Sequence, residues 1–307
     1  MMNYWIAFLV TSLLLAPLMP GVINKTKAFF AGRKGPRLLQ SWFDICKLLK
    51  KGTVYSRTAN FWFRLMPGAA LVLTATALLL LPAGNLPSPL AFSGDALLFL
   101  YLLGTVRLLT VLSALDTGSS FEGMGASREL QFSLGAEAML ILLFAALAIT
   151  SGSCDLAGMF TTNVWFGITS PAAVLSIIVL FIAMLTECCR LPVDDPETHL
   201  ELTMIHEAMI LDNSGPDLGF IHYTAALKMW LFAALLTRLA VPAALLTPAA
   251  SLGFTALGAA VVSLITGIIE SSMARRRFLR LPRLMLAGVI LEAAAIVFAL
   301  VQGGNNI

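Results

Sequence analysis

Apolar residues fall in eight long runs, at roughly 4–23, 66–82, 96–115, 130–150, 172–189, 221–241, 253–272 and 284–301. A membrane-crossing helix needs ~20 mostly apolar residues, so each run is close to one span. Barrel strands would instead show alternating segments of ~10 residues. The pattern predicts an all-α, polytopic membrane protein with about eight transmembrane helices, forming one integral membrane domain over 1–307. The first run lacks a preceding charge and exceeds the ~7–15-residue core of a signal peptide, so it reads as a span. There is no internal repeat and no inverted pair of broken helices of the secondary-transporter kind. Residues 36–51 follow another pattern. Leu38, Trp42, Ile45 and Leu49 share one helical stripe, with Asp44, Lys47, Lys50 and Lys51 opposite. This predicts an amphipathic helix on the cytoplasmic membrane surface, suited to lipid anchoring, to a cytoplasmic partner, or to both.

Composition narrows the class further. The chain has 307 residues, 58% hydrophobic and 12% charged, with mean hydropathy +0.87. Soluble domains carry ~25% charged residues, which excludes a fully soluble protein. Four cysteines without framework spacing exclude a disulfide scaffold. A net charge of +3, thinly scattered, excludes a nucleic-acid binder.

The placement of basic residues predicts orientation. Lys25, Lys27, Arg33, Lys34, Arg37, Lys47, Lys50, Lys51, Arg57 and Arg64 lie between runs one and two. Arg275, Arg276, Arg277, Arg280 and Arg283 lie between runs seven and eight, and Arg128 and Arg190 fall in loops of the same parity. The loops around 83–95, 152–171 and 242–252 hold no Lys or Arg, and neither does either terminus. By the positive-inside rule, loops 24–64, 116–128, 190–220 and 273–283 face the cytoplasm and both termini face outside.

Ionisable residues within spans are costly and are functional candidates for that reason. Arg107, Glu137 and Glu292 lie too deep to reach water. They are expected either to carry protons or ions or to form structural ion pairs, with the path favoured for Glu137. Glu187, Lys228, Arg238 and Glu270 lie near span ends, where snorkelling to the interface is the simpler expectation. The loop after run five is the most polar of the chain, with Asp194, Asp195, Glu197, His199, Glu201, His206 and Glu207. Carboxylates and imidazoles crowded at a membrane surface suit proton relay. Their spacing fits no metal site, and His206-Glu207 lacks the second His of a zinc-protease helix. Cys46, Cys154, Cys188 and Cys189 lack iron–sulfur cluster spacing, so no cluster is expected in this chain. The vicinal Cys188 and Cys189 read as small apolar fillers. Phosphate loops, dinucleotide fingerprints and nucleophile elbows are absent.

Five short motifs in order carry a resemblance. Gly35-Pro36, Leu39-Gln40, Asp44 and Lys47-Leu48 follow run one. Arg128 and Glu137 stand nine residues apart. Glu187, Arg190, Pro192, Asp194, Glu197 and Glu201 form a run of E-x-x-R-x-P type, followed by Asp212 and Ser214-Gly215. The chain resembles the H-type membrane subunit of respiratory complex I. It is closer still to the corresponding anchor of energy-converting group 4 NiFe hydrogenases, including formate hydrogenlyase and hydrogenase-4-type complexes. Val193, Asp195 and His199 depart from the complex I pattern and disfavour a standard quinone chamber.

The resemblance implies a redox-inactive subunit of a prokaryotic cytoplasmic (inner) membrane complex. It would couple redox chemistry to ion translocation. Its proton path would involve Glu137, Glu187, Asp194, Glu197, Glu201, His199, His206, Glu129, Arg107, Arg128 and Arg190. Gly35, Pro36, Arg37, Gln40, Asp44 and Lys47 would dock the electron-transfer arm. The implied partners are hydrogenase-like large and small (cluster-bearing) subunits, a ferredoxin-like subunit and antiporter-like membrane subunits, within a lipid bilayer. A NiFe centre and iron–sulfur clusters would belong to those partners. The alternatives are the quinone-site subunit of an NADH:quinone oxidoreductase, a stand-alone ion transporter and a pure assembly scaffold.

Overall fold

A computed structural model of the chain describes residues 2–56, 58–83, 88–161, 170–194, 204–241, 247–273 and 281–304. The helices in chain order are α1 (Met2–Leu15), α2 (Leu18–Phe30), α3 (Gln40–Leu49), α4 (Phe61–Leu80), α5 (Asp95–Asp116) and α6 (Ser120–Ser151). They continue with α7 (Leu156–Thr161), α8 (Pro171–Glu187), α9 (His206–Met209), α10 (Gly215–Ala240), α11 (Pro248–Ser272) and α12 (Leu281–Gly304). Six of them, α4, α5, α6, α10, α11 and α12, are long and apolar enough to cross a membrane. The fold is therefore all-helical and polytopic. Each of the eight apolar runs is helical, but the eight spans expected are not all met. The first run bends by 42° between α1 and α2, a pair that brings the number to seven only if it counts as one span, and α8 has only 17 residues. The bend falls at Pro17, whose ring removes a backbone donor and collides with the preceding turn.

Two boundaries differ from the expectation. α2 runs on to Phe30, and α6 begins at Ser120 and is 32 residues long, so loops 24–64 and 116–128 are partly helical. Polar residues mark where apolar contact ends, whereas Lys, Arg and Glu are good helix formers that let the backbone continue. The surface helix is shorter than 36–51, covering Gln40–Leu49. Its stripe is only partly covered: Ile45 is buried, whereas Leu38 and Leu49 stay exposed. The α3 helix packs on α10. The Trp42 indole donates to the Leu14 carbonyl at 3.1 Å, so this helix is tied to the bundle as well as amphipathic.

Helix α10 is the axis of the bundle. Buried residues make up 72% of its apolar window, against 22% for α12. It packs against α3, α4, α8 and α11, and its Ala226, Ala233 and Ala234 are buried at those contacts. Small residues let membrane helices approach closely. The same device joins α6 to α12, where a side chain at Gly135 would strike Met285 and one at Gly288 would strike Met139. Side chains satisfy first-turn N–H groups at some helix starts. Ser170 Oγ accepts from Ala173 N at 3.2 Å ahead of Pro171, starting α8. The Asp116 carboxylate, at the end of α5, accepts from Asn60 N at 2.8 Å and Phe63 N at 3.3 Å, satisfying the first turn of α4. A strap after α3 is pinned to the start of α10: the Tyr55 hydroxyl donates to Asp217 Oδ2 at 2.7 Å, and Arg64 lies 4.9 Å above the Tyr55 ring. The Tyr55 phenol is held above its ordinary pKa, first by that bond to Asp217 and then by burial.

Candidate functional site

Four long helices each direct an ionisable side chain to one point inside the bundle. Arg107 comes from α5, Glu129 and Glu137 from α6, Glu187 from the last turn of α8, and Lys228 from α10. The Arg107 guanidinium is the hub. Its Nη1 donates to Glu137 Oε1 at 2.7 Å, its Nε lies 3.5 Å from Glu129 Oε1, and its Nη2 pairs with Glu187 Oε1. A planar fork with several donors serves three carboxylates in a way that a point-charge ammonium cannot. Lys228 Nζ holds the second oxygen of Glu187 at 2.7 Å. Glu129 also accepts from Cys189 Sγ at 3.7 Å, so the vicinal cysteine contributes a polar contact as well as bulk.

Arg107 and Glu137 form an ion pair, the arrangement weighed above against a proton path for Glu137. Snorkelling is not the answer for the span-end residues. Glu187, Lys228, Arg238 and Glu270 are all buried, between 4% and 9% exposed. Helix–helix packing encloses them, which single-chain hydropathy does not register. Lys228 was thus underrated by position alone. An i to i+3 or i+4 pair on one helix would have revealed its partner, but Glu187 comes from another helix. The network unites two cations with three carboxylates.

Two cavities meet at Arg107 and Glu187. One, of about 60 Å³, is lined by Glu129, Cys188, Cys189, His206, Lys228 and apolar neighbours. Its lining is mostly apolar, with the ionisable side chains set among apolar neighbours, and its size admits a few water molecules. The other, of about 620 Å³, is a mainly apolar groove along α5 and α6, reached by Glu137. The Glu137 side chain is 46% exposed there, against 1% for Glu187. His206, at the start of α9, borders the small cavity from the loop side. Its pKa is pushed down to about 4, first by burial and then by the nearby positive charges of His222, Lys228 and Arg190.

The remaining expected residues are distributed as follows. Asp194 is buried and accepts from Ile205 N at 3.1 Å and His206 N at 3.0 Å, closing the polar loop onto α9. Arg128 Nη1 donates to the Met204 carbonyl at 3.3 Å, holding the same segment from α6. Arg190 joins a different cluster. It lies 3.6 Å from Glu270 Oε1, while Lys27 lies 3.2 Å from Glu270 Oε2. The arrangement brings loops of the same parity onto one face. Glu197, His199 and Glu201 lie outside the described residues, as do Asp195, Arg57 and the arginines at 275–277 and 280. The proposed docking residues Gly35, Pro36, Arg37, Asp44 and Lys47 are exposed, and Gln40 Nε2 donates to Asp44 Oδ1 at 2.9 Å along one side of α3. Among the described residues, no group of three or more His, Cys, Asp or Glu is placed to hold a metal ion.

A profile of the NADH dehydrogenase family matches residues 2–301. Hydrogenase-4 component C of Escherichia coli (strain K12) is 34% identical over 94% of this chain and 93% of its own length. Formate hydrogenlyase subunit 4 of the same organism is 31% identical over 89% of this chain and 90% of its own length. In fold, the chain matches a subunit of the membrane-bound sulfane sulfur reductase, an archaeal respiratory membrane complex. That match has a TM-score of 0.82 at 20% identity and covers 97% of this chain and 99% of the other.

Proposed function

The chain belongs to the NADH dehydrogenase family, and from that premise we propose that it is the redox-inactive membrane subunit of a group 4 hydrogenase-like complex. In this reading it anchors a cytoplasmic electron-transfer arm and forms the entry of a proton or ion path. The reading rests above all on the buried Arg107 network. Three carboxylates against two cations leave one negative charge in excess when all are ionised. Such an excess is costly away from water, so the network gains by taking up one proton. The small cavity beside His206 supplies that proton from the loop side, and half-exposed Glu137 offers it to the groove. A change of charge on the docked arm shifts this balance through the 190–207 loop.

The partners that fit this role are hydrogenase-like large and small subunits, a ferredoxin-like subunit and antiporter-like membrane subunits. The NiFe centre and iron–sulfur clusters belong to them. Exposed Gly35, Pro36, Arg37, Asp44 and Lys47 suit docking of the arm. The full-length relation to hydrogenase and formate hydrogenlyase subunits favours this branch over a quinone-reducing one.

Glu137→Gln and Glu187→Gln keep shape and hydrogen-bonding capacity but cannot ionise. The complex with half-exposed Glu137 replaced is expected to assemble in normal yield and to lose most of its proton translocation. Glu187→Gln, which unpairs buried Lys228, is expected to lower the yield and also to lose translocation per assembled complex. An assembled Glu137→Gln complex that pumps at the wild-type rate would sink the relay role. In this reading the basic loops face the cytoplasm and both termini face outside. With native Cys154 replaced by Ser, a cysteine introduced at Asp155 should react with an impermeant maleimide added from outside, and one at Lys34 should not. The reverse pattern overturns the orientation.

A further inference from the structure

Glu292 stands apart from the Arg107 network. It lies on α12 with 0% exposure. Its Oε1 accepts from Ser176 Oγ of α8 at 2.9 Å, and its Oε2 has no hydrogen-bond partner among the described residues. The helices packed against α12 are α6 and α8. Their ionisable groups are Glu122, Arg128, Glu129 and Glu137 on α6, and Glu187 on α8. Arg128 is turned to the Met204 carbonyl, and Glu122 accepts from Asp212 N and from the Thr117 hydroxyl. Glu129, Glu137 and Glu187 share Arg107. Arg283, on α12 itself, is nine residues away, about 13 Å along the helix. None of these groups forms an ion pair with Glu292. Ser176 lies eleven residues before Glu187, about 16 Å along α8 from the Arg107 network and away from the basic loops.

We propose that Glu292 and Ser176 form a second proton-binding site within the membrane, in which Glu292 carries a proton at neutral pH. An ionised carboxylate here would have one hydroxyl in place of its water shell, which is too little to hold a buried charge. A neutral acid loses far less on burial, and its carbonyl oxygen is satisfied by the Ser176 hydroxyl. A hard metal cation is a poor occupant, because such ions take about six or more oxygens and this site offers a carboxyl and one hydroxyl. The assignment is independent of the arm-docking reading and stands or falls on its own measurements.

The test uses the intact complex in membranes. Dicyclohexylcarbodiimide reacts with carboxylic acids that are protonated in apolar surroundings. The acid's proton passes to a carbodiimide nitrogen, and its oxygen adds to the central carbon. Peptide mass spectrometry is expected to find the adduct on Glu292 at neutral pH, undiminished by added Na⁺, and absent in Glu292→Gln. Infrared spectroscopy is expected to show a carbonyl band of an un-ionised carboxylic acid that is lost in Glu292→Gln. Ser176→Ala keeps Glu292 and should shift that band upward as its hydrogen bond is lost, giving a readout if Glu292→Gln fails to assemble. Absence of both adduct and band from the wild type overturns the proposal. Protection of Glu292 by Na⁺ overturns it too, in favour of a metal-cation site.

Discussion

Glu187 and Glu292 are both almost fully buried, on helices that pack against each other, yet the bundle treats them differently. Glu187 has a cation at each oxygen, Arg107 on one side and Lys228 on the other, and a small cavity beside it. Glu292 has a serine hydroxyl at one oxygen and apolar packing around the rest. The first arrangement keeps charges in the membrane by pairing them, and so makes each depend on its neighbours. The second avoids charge altogether. The difference comes from which helices meet. The junction of α5, α6, α8 and α10 brings one charged residue from each helix and a second carboxylate from α6. The contact of α12 with α6 is built from close-packed Gly135, Met139, Met285 and Gly288. In the proposed reading the first site exchanges a proton and the second holds one.

The largest effect expected from breaking this contrast is at its hub. Arg107→Met strands Glu129, Glu137 and Glu187 with Lys228 alone. Removing one partner of a buried ion pair typically costs ~3–5 kcal/mol. The yield of assembled, detergent-stable complex should fall sharply, whereas Glu292→Gln should leave it near the wild-type level. Equal yields for the two variants would erase the distinction between the sites.

A smaller, local effect follows from His206 beside the small cavity. Its pKa is about 4 in the folded protein, against an ordinary 6.5. Between those values the unfolded segment binds more protons than the folded one, so stability falls as pH falls. The contribution is complete above about pH 6.5 and is lost on acidification toward about pH 4. Protection factors of the amides at 204–213, which divide out the intrinsic pH dependence of exchange, should fall on acidification across that window, and His206→Gln should flatten the dependence. Protection that stays constant from pH 6.5 to 4 in the wild type would contradict this account of His206. The smallest effect belongs to Ser176→Ala. Side-chain hydrogen bonds between membrane helices average ~0.6 kcal/mol, so thermal stability should drop by a degree or two at most. A loss as large as that of Arg107→Met would mean that Glu292 carries a charge.

Much of the helical architecture was legible in the chain. Each apolar run became a helix, and the amphipathic stripe around Trp42 and Ile45 became α3. Its length was not legible, because covering Ile45 against α10 depends on a helix far away in sequence. The bend at Pro17 was open to inspection in the residues, but a run of apolar side chains conceals it, since hydropathy does not register a missing backbone donor. Glu137, Arg107 and Glu292 stood out as deep ionisable residues. Lys228 and Glu270 did not, because proximity to a span end looks the same whether the side chain reaches water or is roofed by neighbouring helices.

What the sequence determined by itself was class and periodicity. Bilayer thickness and the cost of bare backbone in hydrocarbon force long apolar runs into helices, whatever their neighbours. What only the tertiary structure decided was pairing. Arg190 lies three residues from Glu187 along the chain and Arg107 eighty. Helix packing gave Arg107 to Glu187 and placed Arg190 beside Glu270 with Lys27. Electrostatic energy depends on separations of a few ångströms between residues tens or hundreds of positions apart. Those separations are set by how the helices pack, and no local pattern along the chain encodes them.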